Sequence, residues 1–100
     1  FSATRSGSVL VDAGAYQALL AKKSLLPGGI VGTKGDFEKG QVVELETPDG
    51  KVFGRGVTHY SSRDLARIAG KRTEEVGSIL GKKSYDEVIH RNDLVIWSER

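Results

Sequence analysis

The chain has 100 residues, 38% of them hydrophobic, which suits one ordinary domain with a single core. It contains no cysteine, which excludes a disulfide framework, a thiolate metal site and a cysteine nucleophile. The net charge of +2 is too small to indicate a class of partner. No apolar run reaches the roughly 18 residues of a membrane span, so we expect a soluble, cytoplasmic domain with no membrane partner.

The chain opens with residues 1–6, which we interpret as the remnant of a linker. Residues 9–11 (VLV) then predict a short buried strand. Asp12 is suited to cap a helix that carries three apolar side chains at helical spacing on its inner face (Tyr16, Leu19 and Leu20).

The middle of the chain predicts a turn and a hairpin. Residues 27–29 (PGG) form the turn, a strand follows at 30–31, and 32–40 is a glycine-bearing loop. TPDGK then reverses the chain between strands at 42–46 and 52–60.

Side-chain alternation gives the hairpin its faces. In the first strand it turns Val43 and Leu45 inward and Glu44 and Glu46 outward. In the second strand Gly54 and Gly56 share a face, which predicts close packing of another backbone or an aromatic ring there.

Two short helices follow the hairpin. Ser61 and Asp64 resemble a capping box, opening a helix that ends at Gly70 and buries Leu65, Ile68 and Ala69. Thr73 opens the second helix, which ends at Gly81 and buries Val76, Ile79 and Leu80.

The chain closes with a strand at 87–90, a turn at Asn92-Asp93, a strand at 94–97 and a tail at 98–100. Val88, Leu94 and Ile96 are expected in the core. The order of elements predicts an α+β fold, a small mixed β pseudo-barrel with two to three short helices.

Sites for chemistry are scarce in this sequence. Neither Gly70-Lys71 nor Gly81-Lys82 has the upstream glycine or the following hydroxyl of a phosphate loop. The GTKG at 32–35 matches a nucleic-acid clamp in letters but lies among strands instead of helices. His59 and His90 lack a partner at helix spacing for zinc, so we expect no metal, cofactor-binding or catalytic residue.

The stretch YDEVIHRND at 85–93 gathers acids and a histidine. As a helix it would place Asp86 and His90 side by side. As a strand it separates their backbones by roughly 13 Å and turns Glu87 to the opposite face. We favour the strand, in which these groups hold a turn and move no proton.

Basic residues are concentrated in 51–72, where they could attract phosphate or an acidic surface, although a solvated helix face is the commoner meaning of such a run. The candidate basic patch consists of Lys51, Arg55, Arg63, Arg67, Lys71 and Arg72.

Five stretches, in this order, resemble a PUA domain: VLVDAGAYQALL, SLLPGGIVGTKGDFEKG, PDGKVFGRGVTHYSS, RIAGKRTEEVGSILG and YDEVIHRNDLV. The last two resemble the form found at the C-terminus of bacterial glutamate 5-kinases. The resemblance covers 7–97. Gln41, where aspartate is usual, and the order Asn92-Asp93 depart from the pattern and alter only turns.

The resemblance implies a parent enzyme that transfers the γ-phosphate of ATP to the side chain of L-glutamate. That reaction is the first step of proline synthesis, needs magnesium and is inhibited by proline. Its chemistry belongs to an N-terminal amino-acid-kinase domain, so we expect this chain alone to be inactive.

For the domain itself the resemblance leaves two hypotheses. One is a regulatory or structural module that packs on its kinase domain or a neighbouring subunit. The other is RNA binding through the first helix, its glycine-bearing turn and an adjacent strand. The matching positions, the candidate RNA or partner surface, are Gly14, Ala15, Lys22, Lys23 and Lys34.

Overall fold

The computed structural model describes residues 7–82 and 85–97, which form one five-stranded mixed sheet and three α-helices. The strands are β1 (Gly7–Val11), β2 (Ile30–Lys34), β3 (Val42–Glu46), β4 (Val52–Val57) and β5 (Leu94–Ile96). The helices are α1 (Ala13–Leu20), α2 (Ser62–Ile68) and α3 (Val76–Leu80). This confirms the predicted small α+β fold. The predicted linker (1–6) and tail (98–100) lie outside the described residues.

The strands lie in the order β2-β1-β3-β4-β5, and among the strand pairs of the described residues only β1–β3 is parallel. A parallel pair needs a long crossover, and α1 with β2 lies between β1 and β3 in the chain. β2 and β5 are the edges of the sheet. None of the helices in 7–82 and 85–97 is long and apolar enough to cross a membrane.

The core combines buried side chains of the sheet with Leu19 of α1 and Leu65 and Ile68 of α2. Phe53 is fully buried at its centre, and the Tyr16 ring of α1 meets it edge-on at a centroid distance of 4.7 Å. Val88 is also fully buried, while Leu94 and Ile96 pack against the core from partly buried positions. These three are the contributors expected from the closing segment.

Both predicted helix caps are present. Asp12 Oδ1 accepts a hydrogen bond from the Ala15 N–H at 2.7 Å, and Ser61 Oγ accepts one from the Asp64 N–H at 3.2 Å. Each bond satisfies a backbone donor that the first helical turn leaves without a partner. The prediction that Leu20 faces inward is wrong, because it is 40% exposed at the end of α1.

The end of β2 and the burial of one residue of β3 differ from the prediction, whereas the bounds of β3 are as predicted. β2 continues through Lys34, because Thr33 and Lys34 pair with β1 where a loop was expected. Glu46 is buried instead of outward because Lys34 of β2 and Ser8 of β1 bond to its carboxylate. The register shift between Leu45 and Glu46 leaves its extra residue, Phe53, in β4 and keeps the alternation of β3 intact.

The expected strand at 87–90 is wrong, since the structure has only an isolated bridge between Leu25 and Ile89 there. The segment is nevertheless fixed from two sides: Val88 N–H donates to the Leu25 carbonyl at 2.7 Å, and Val88 carbonyl accepts from the His59 N–H at 2.8 Å. Val88 and Ile89 are both fully buried, which a half-exposed strand would not allow. The hairpin strand predicted to reach residue 60 ends at Val57.

The two glycines of β4 allow β5 to close the sheet. A Cβ on Gly54 would lie 2.6 Å from the Val95 carbonyl oxygen, and one on Gly56 would lie 2.9 Å from the Asp93 carbonyl oxygen. The predicted close approach of another backbone is therefore confirmed, and the partner is the segment around β5.

Candidate functional site

Gly14 and Ala15 of the candidate RNA or partner surface lie in the first turn of α1, beside the 3₁₀ turn Pro27–Gly29. Together they line a shallow cavity of about 320 Å³. A Cβ on Gly29 would lie 2.5 Å from the Cβ of Ala15, so glycine is needed for the turn to approach the helix. The cavity is lined mostly by small and apolar residues, together with Asp12 and Ser24.

The lysines of that surface lie elsewhere. Lys22 and Lys23 follow the far end of α1, about 12 Å along an eight-residue helix from its start. Lys34 ends β2, where its Nζ lies 2.9 Å from Glu46 Oε1. The structure thus brings Gly14 and Ala15 together and separates the three lysines from them.

Glu46 is the partner that sequence reasoning missed. The hydrogen bond from the Lys34 ammonium lowers the pKa of the Glu46 carboxyl, a bond from Ser8 and the Lys34 charge act in the same direction, and burial opposes them. Because the residue is only 6% exposed, this carboxylate depends on Lys34 and Ser8 for its solvation. Lys34 is therefore engaged in an ion pair inside the domain.

The candidate basic patch is spread over several elements. Lys51 follows the hairpin turn, and Arg55 on β4 lies directly opposite Glu44 on β3. Arg63 and Arg67 belong to α2, and the Arg67 guanidinium donates to the Ile79 carbonyl. Lys71 and Arg72 follow α2, where Arg72 lies 3.5 Å from Glu74. Several of these cations thus contact other groups of the domain. The candidate basic patch is therefore less suited to act as a single anion-binding face.

A concave polar cavity of about 740 Å³, which we call the polar cleft, is lined by Glu38, Lys39, His59, Tyr60, Ser61, Arg63, Asp64, Lys82 and Tyr85. Within this lining, His59 Nδ1 lies 3.2 Å from the Glu87 carbonyl oxygen, and His59 Nε2 lies 3.8 Å from Asp93 Oδ2. The Tyr85 ring lies on His59 at 4.4 Å between centroids, and Lys39 Nζ lies 5.6 Å from the centre of the same ring.

The polar cleft is held together by its own residues. Tyr60 is buried and its hydroxyl donates to the Tyr85 carbonyl. These contacts join residues 25 or more positions apart, and no local pattern in the sequence indicated them. Their arrangement fixes the 85–93 segment and leaves no buried side-chain polar atom unsatisfied among the described residues.

The acids and histidine of 85–93 do not form one cluster. His90 Nδ1 accepts from the Asn92 N–H at 3.1 Å and caps the 3₁₀ turn Arg91–Asp93, whereas Asp93 faces His59. Across 7–82 and 85–97 no three histidine, aspartate or glutamate side chains are grouped to hold a metal ion. The described groups therefore cap a turn and fix a loop.

Comparison with known proteins adds the family. The PUA domain model matches residues 7–80. Glutamate 5-kinase of Methanococcoides burtonii is 48% identical over 92 residues, and that of Dictyoglomus thermophilum is 50% identical over 97 residues. These alignments cover 92% and 96% of this chain but only 24% and 26% of the two enzymes, so the chain spans about a quarter of their length.

Solved structures agree on the fold. A PUA domain from Aeropyrum pernix, crystallised as a tartrate complex, superposes with a TM-score of 0.62 at 28% identity and covers 85% of this chain and 41% of that one. A PUA domain protein from Thermoplasma acidophilum gives 0.60 at 20% identity, covering 86% and 48%. The match over most of the chain and the shared architecture place this chain in the PUA domain family.

Proposed function

We propose that this chain is the accessory PUA domain of a glutamate 5-kinase and that it has a regulatory or structural role. The observation that carries the proposal is the identity of nearly one half to glutamate 5-kinases over more than nine-tenths of the chain. The transfer of phosphate from ATP to L-glutamate would be carried out by the kinase region that makes up most of those enzymes, in the cytoplasm. ATP and magnesium would bind there, and the domain would contribute no catalytic group.

The internal contacts of the described residues support an accessory role. His59 contacts the Glu87 carbonyl oxygen and Asp93, and His90 caps a turn, so each histidine has a structural partner within the domain. A domain of this kind acts through contact with its kinase region.

The test is deletion of 7–97 from the full-length enzyme that carries this sequence. Formation of glutamyl phosphate is measured with and without proline, and the oligomeric state is measured by light scattering. We expect the deletion to change the activity, its inhibition by proline or the oligomeric state. Removal of 98–100 alone serves as the control. Unchanged activity, inhibition and assembly after the deletion would exclude the regulatory and structural roles.

RNA binding, the competing function of PUA domains, has less support on this surface. Lys34 is paired with Glu46, and the cavity beside Gly14 and Ala15 is lined by small and apolar residues. We therefore expect no RNA binding at low salt. Tight binding that weakens as salt rises would favour RNA, because phosphate contacts release counterions.

A further inference from the structure

A second concave surface lies between the C-terminal end of α1 and the edge strand β5, and we call it the α1–β5 groove. It has a volume of about 840 Å³. Its apolar wall includes Leu20, Val95 and Trp97, which are 40%, 55% and 39% exposed. They are three of the six large hydrophobic side chains exposed among the described residues, so exposure is concentrated here. Such a concentration is typical of an interaction site.

The groove also has a strand edge. β5 pairs with β4 on one side, and the Trp97 N–H donates to the Phe53 carbonyl at 3.1 Å. Because backbone groups alternate along an antiparallel strand, the N–H and C=O of Ile96 point away from β4. An edge of this kind can receive an added extended segment.

Two cations flank the apolar wall. Lys22 and Arg91 line the groove, and no acidic side chain of the described residues does. The Arg91 N–H donates to Ser24 Oγ at 2.9 Å, which holds the 91–93 turn against the chain after α1. Lys22 has φ +67°, the only positive φ of a non-glycine residue described. This conformation costs about 1 kcal/mol or more for a residue with a Cβ.

We propose that the α1–β5 groove is the docking site for an extended segment of the kinase region of the same polypeptide. The segment would carry branched apolar side chains and at least one carboxylate on each flank. It would pair with the β5 edge and bring its carboxylates to Lys22 and Arg91. The inference rests on the proposed function, because the curated relatives are about four times as long as the part that this chain matches.

The charges of the groove select this occupant over two others. A second copy docking symmetrically would place Lys22 and Arg91 against the same cations. RNA would meet a mostly aliphatic wall with one aromatic ring, Trp97, and two cations, whereas single-stranded RNA sites combine a longer basic track with several aromatic platforms. An acidic and apolar polypeptide segment complements both the walls and the cations.

The experiment uses the full-length enzyme and a zero-length carbodiimide, which joins an amine to a carboxylate in contact with it. We expect Lys22 to cross-link to a carboxylate outside residues 1–100, whereas the adjacent exposed Lys23, which does not line the groove, gives at least about 10-fold less product. In the variant Lys22→Glu/Arg91→Glu, amide exchange at Ile96 should accelerate about 10-fold or more. Lys23→Glu/Lys71→Glu changes the charge equally and should leave that exchange unchanged.

The outcomes separate this inference from the proposed function. If deletion of 7–97 alters activity or assembly while Lys22 forms no such cross-link and Ile96 exchange is insensitive to the variant, the docking site is wrong and the accessory function stands. If the cross-link forms and the deletion changes nothing, docking stands without regulation. Cross-links only between isotopically mixed subunits, or protection of Ile96 only after RNA is added, would overturn the choice of occupant.

Discussion

The polar cleft and the α1–β5 groove are both open concavities of similar size, yet their residues are used differently. In the polar cleft His59 contacts Asp93, Glu87 and Tyr85, so its polar groups bond to each other. In the α1–β5 groove apolar side chains and cations face solvent together. A concave surface whose polar groups bond to each other serves to hold the fold together. A concave surface whose side chains face solvent is the better candidate for a binding site.

The difference has a structural origin. Residues 85–90 form no helix or strand beyond one isolated bridge, so contacts from His59 and Tyr60 must hold them in place. β5 is held by the sheet ladder and by the close approach of Gly54 and Gly56. Leu94 and Ile96 pack against the core, and the exposed Val95 side chain is left to form part of the groove wall.

The largest expected effect comes from disturbing the close packing of Gly54 against β5, which would loosen the wall of the α1–β5 groove. The substitution Gly54→Ala places a Cβ 2.6 Å from a backbone oxygen of β5, which cannot move without losing its ladder. We expect a loss of about 2–4 kcal/mol in the free energy of unfolding, measured by chemical denaturation. The exposed amides around β5 should exchange faster.

Gly32→Ala is the matched control, because Gly32 also lies in a strand and its Cβ would meet nothing within 4 Å. It should be neutral or slightly stabilising. An equal loss of stability in both variants would show that the backbone freedom of glycine, and not the contact with β5, is what matters at Gly54.

The sequence predicted this part of the fold well, because its signals are local. The helix caps Asp12 and Ser61 can be recognised from the residues that follow them. The spacing of Gly54 and Gly56 by two positions in β4 likewise indicates close packing on one face of the strand. The resemblance of five stretches to a PUA domain then supplied the order in which the elements pack.

The sequence failed where a distant residue decides the outcome. Alternation placed Glu46 outward, and its burial depends on Lys34 and Ser8, which reach it from the neighbouring strands β2 and β1. Val88 and Ile89 looked like a strand, but Leu25 and His59 bond to successive parts of that segment from different directions. The candidate surfaces shared this weakness, since positions carried over by resemblance do not say which lysine is already paired.

The polar cleft can be tested at the Tyr60 hydroxyl. The substitution Tyr60→Phe removes its hydrogen bond to the Tyr85 carbonyl and keeps the buried ring. We expect a loss of about 1 kcal/mol, with faster exchange confined to the 85–93 segment and no effect on β5. Tyr16→Phe, on α1 against Phe53, controls for loss of a phenol. Loosening of β5 in the Tyr60 variant would show that the two surfaces are not independent.

The groove can be tested at Lys22 by a substitution with opposite effects on stability and docking. The change Lys22→Gly relieves the positive φ and should stabilise the folded domain by about 1 kcal/mol in thermal or chemical unfolding. It also removes the cation that the proposed partner would meet. Lys23→Gly, at a position without positive φ, should not stabilise the fold. A gain at Lys23 equal to that at Lys22 would contradict strain as the cause.

The smallest effect concerns the pair formed by Lys34 and Glu46, which behaves like the polar cleft although it lies on the β2 side. The Lys34 hydrogen bond holds the folded-state pKa of Glu46 below its ordinary value of 4.5. Its contribution to stability is therefore present above that value and is lost as pH falls through the lower folded-state pKa. Glu46→Gln should cost about 0.5 kcal/mol of folding stability at neutral pH and should flatten the acid limb of the stability curve.

Glu38→Gln, on the exposed loop before β3, controls for loss of one carboxylate. If the acid limb keeps its slope in the Glu46 variant, the pair does not commit Lys34, and that lysine returns to the candidate RNA or partner surface.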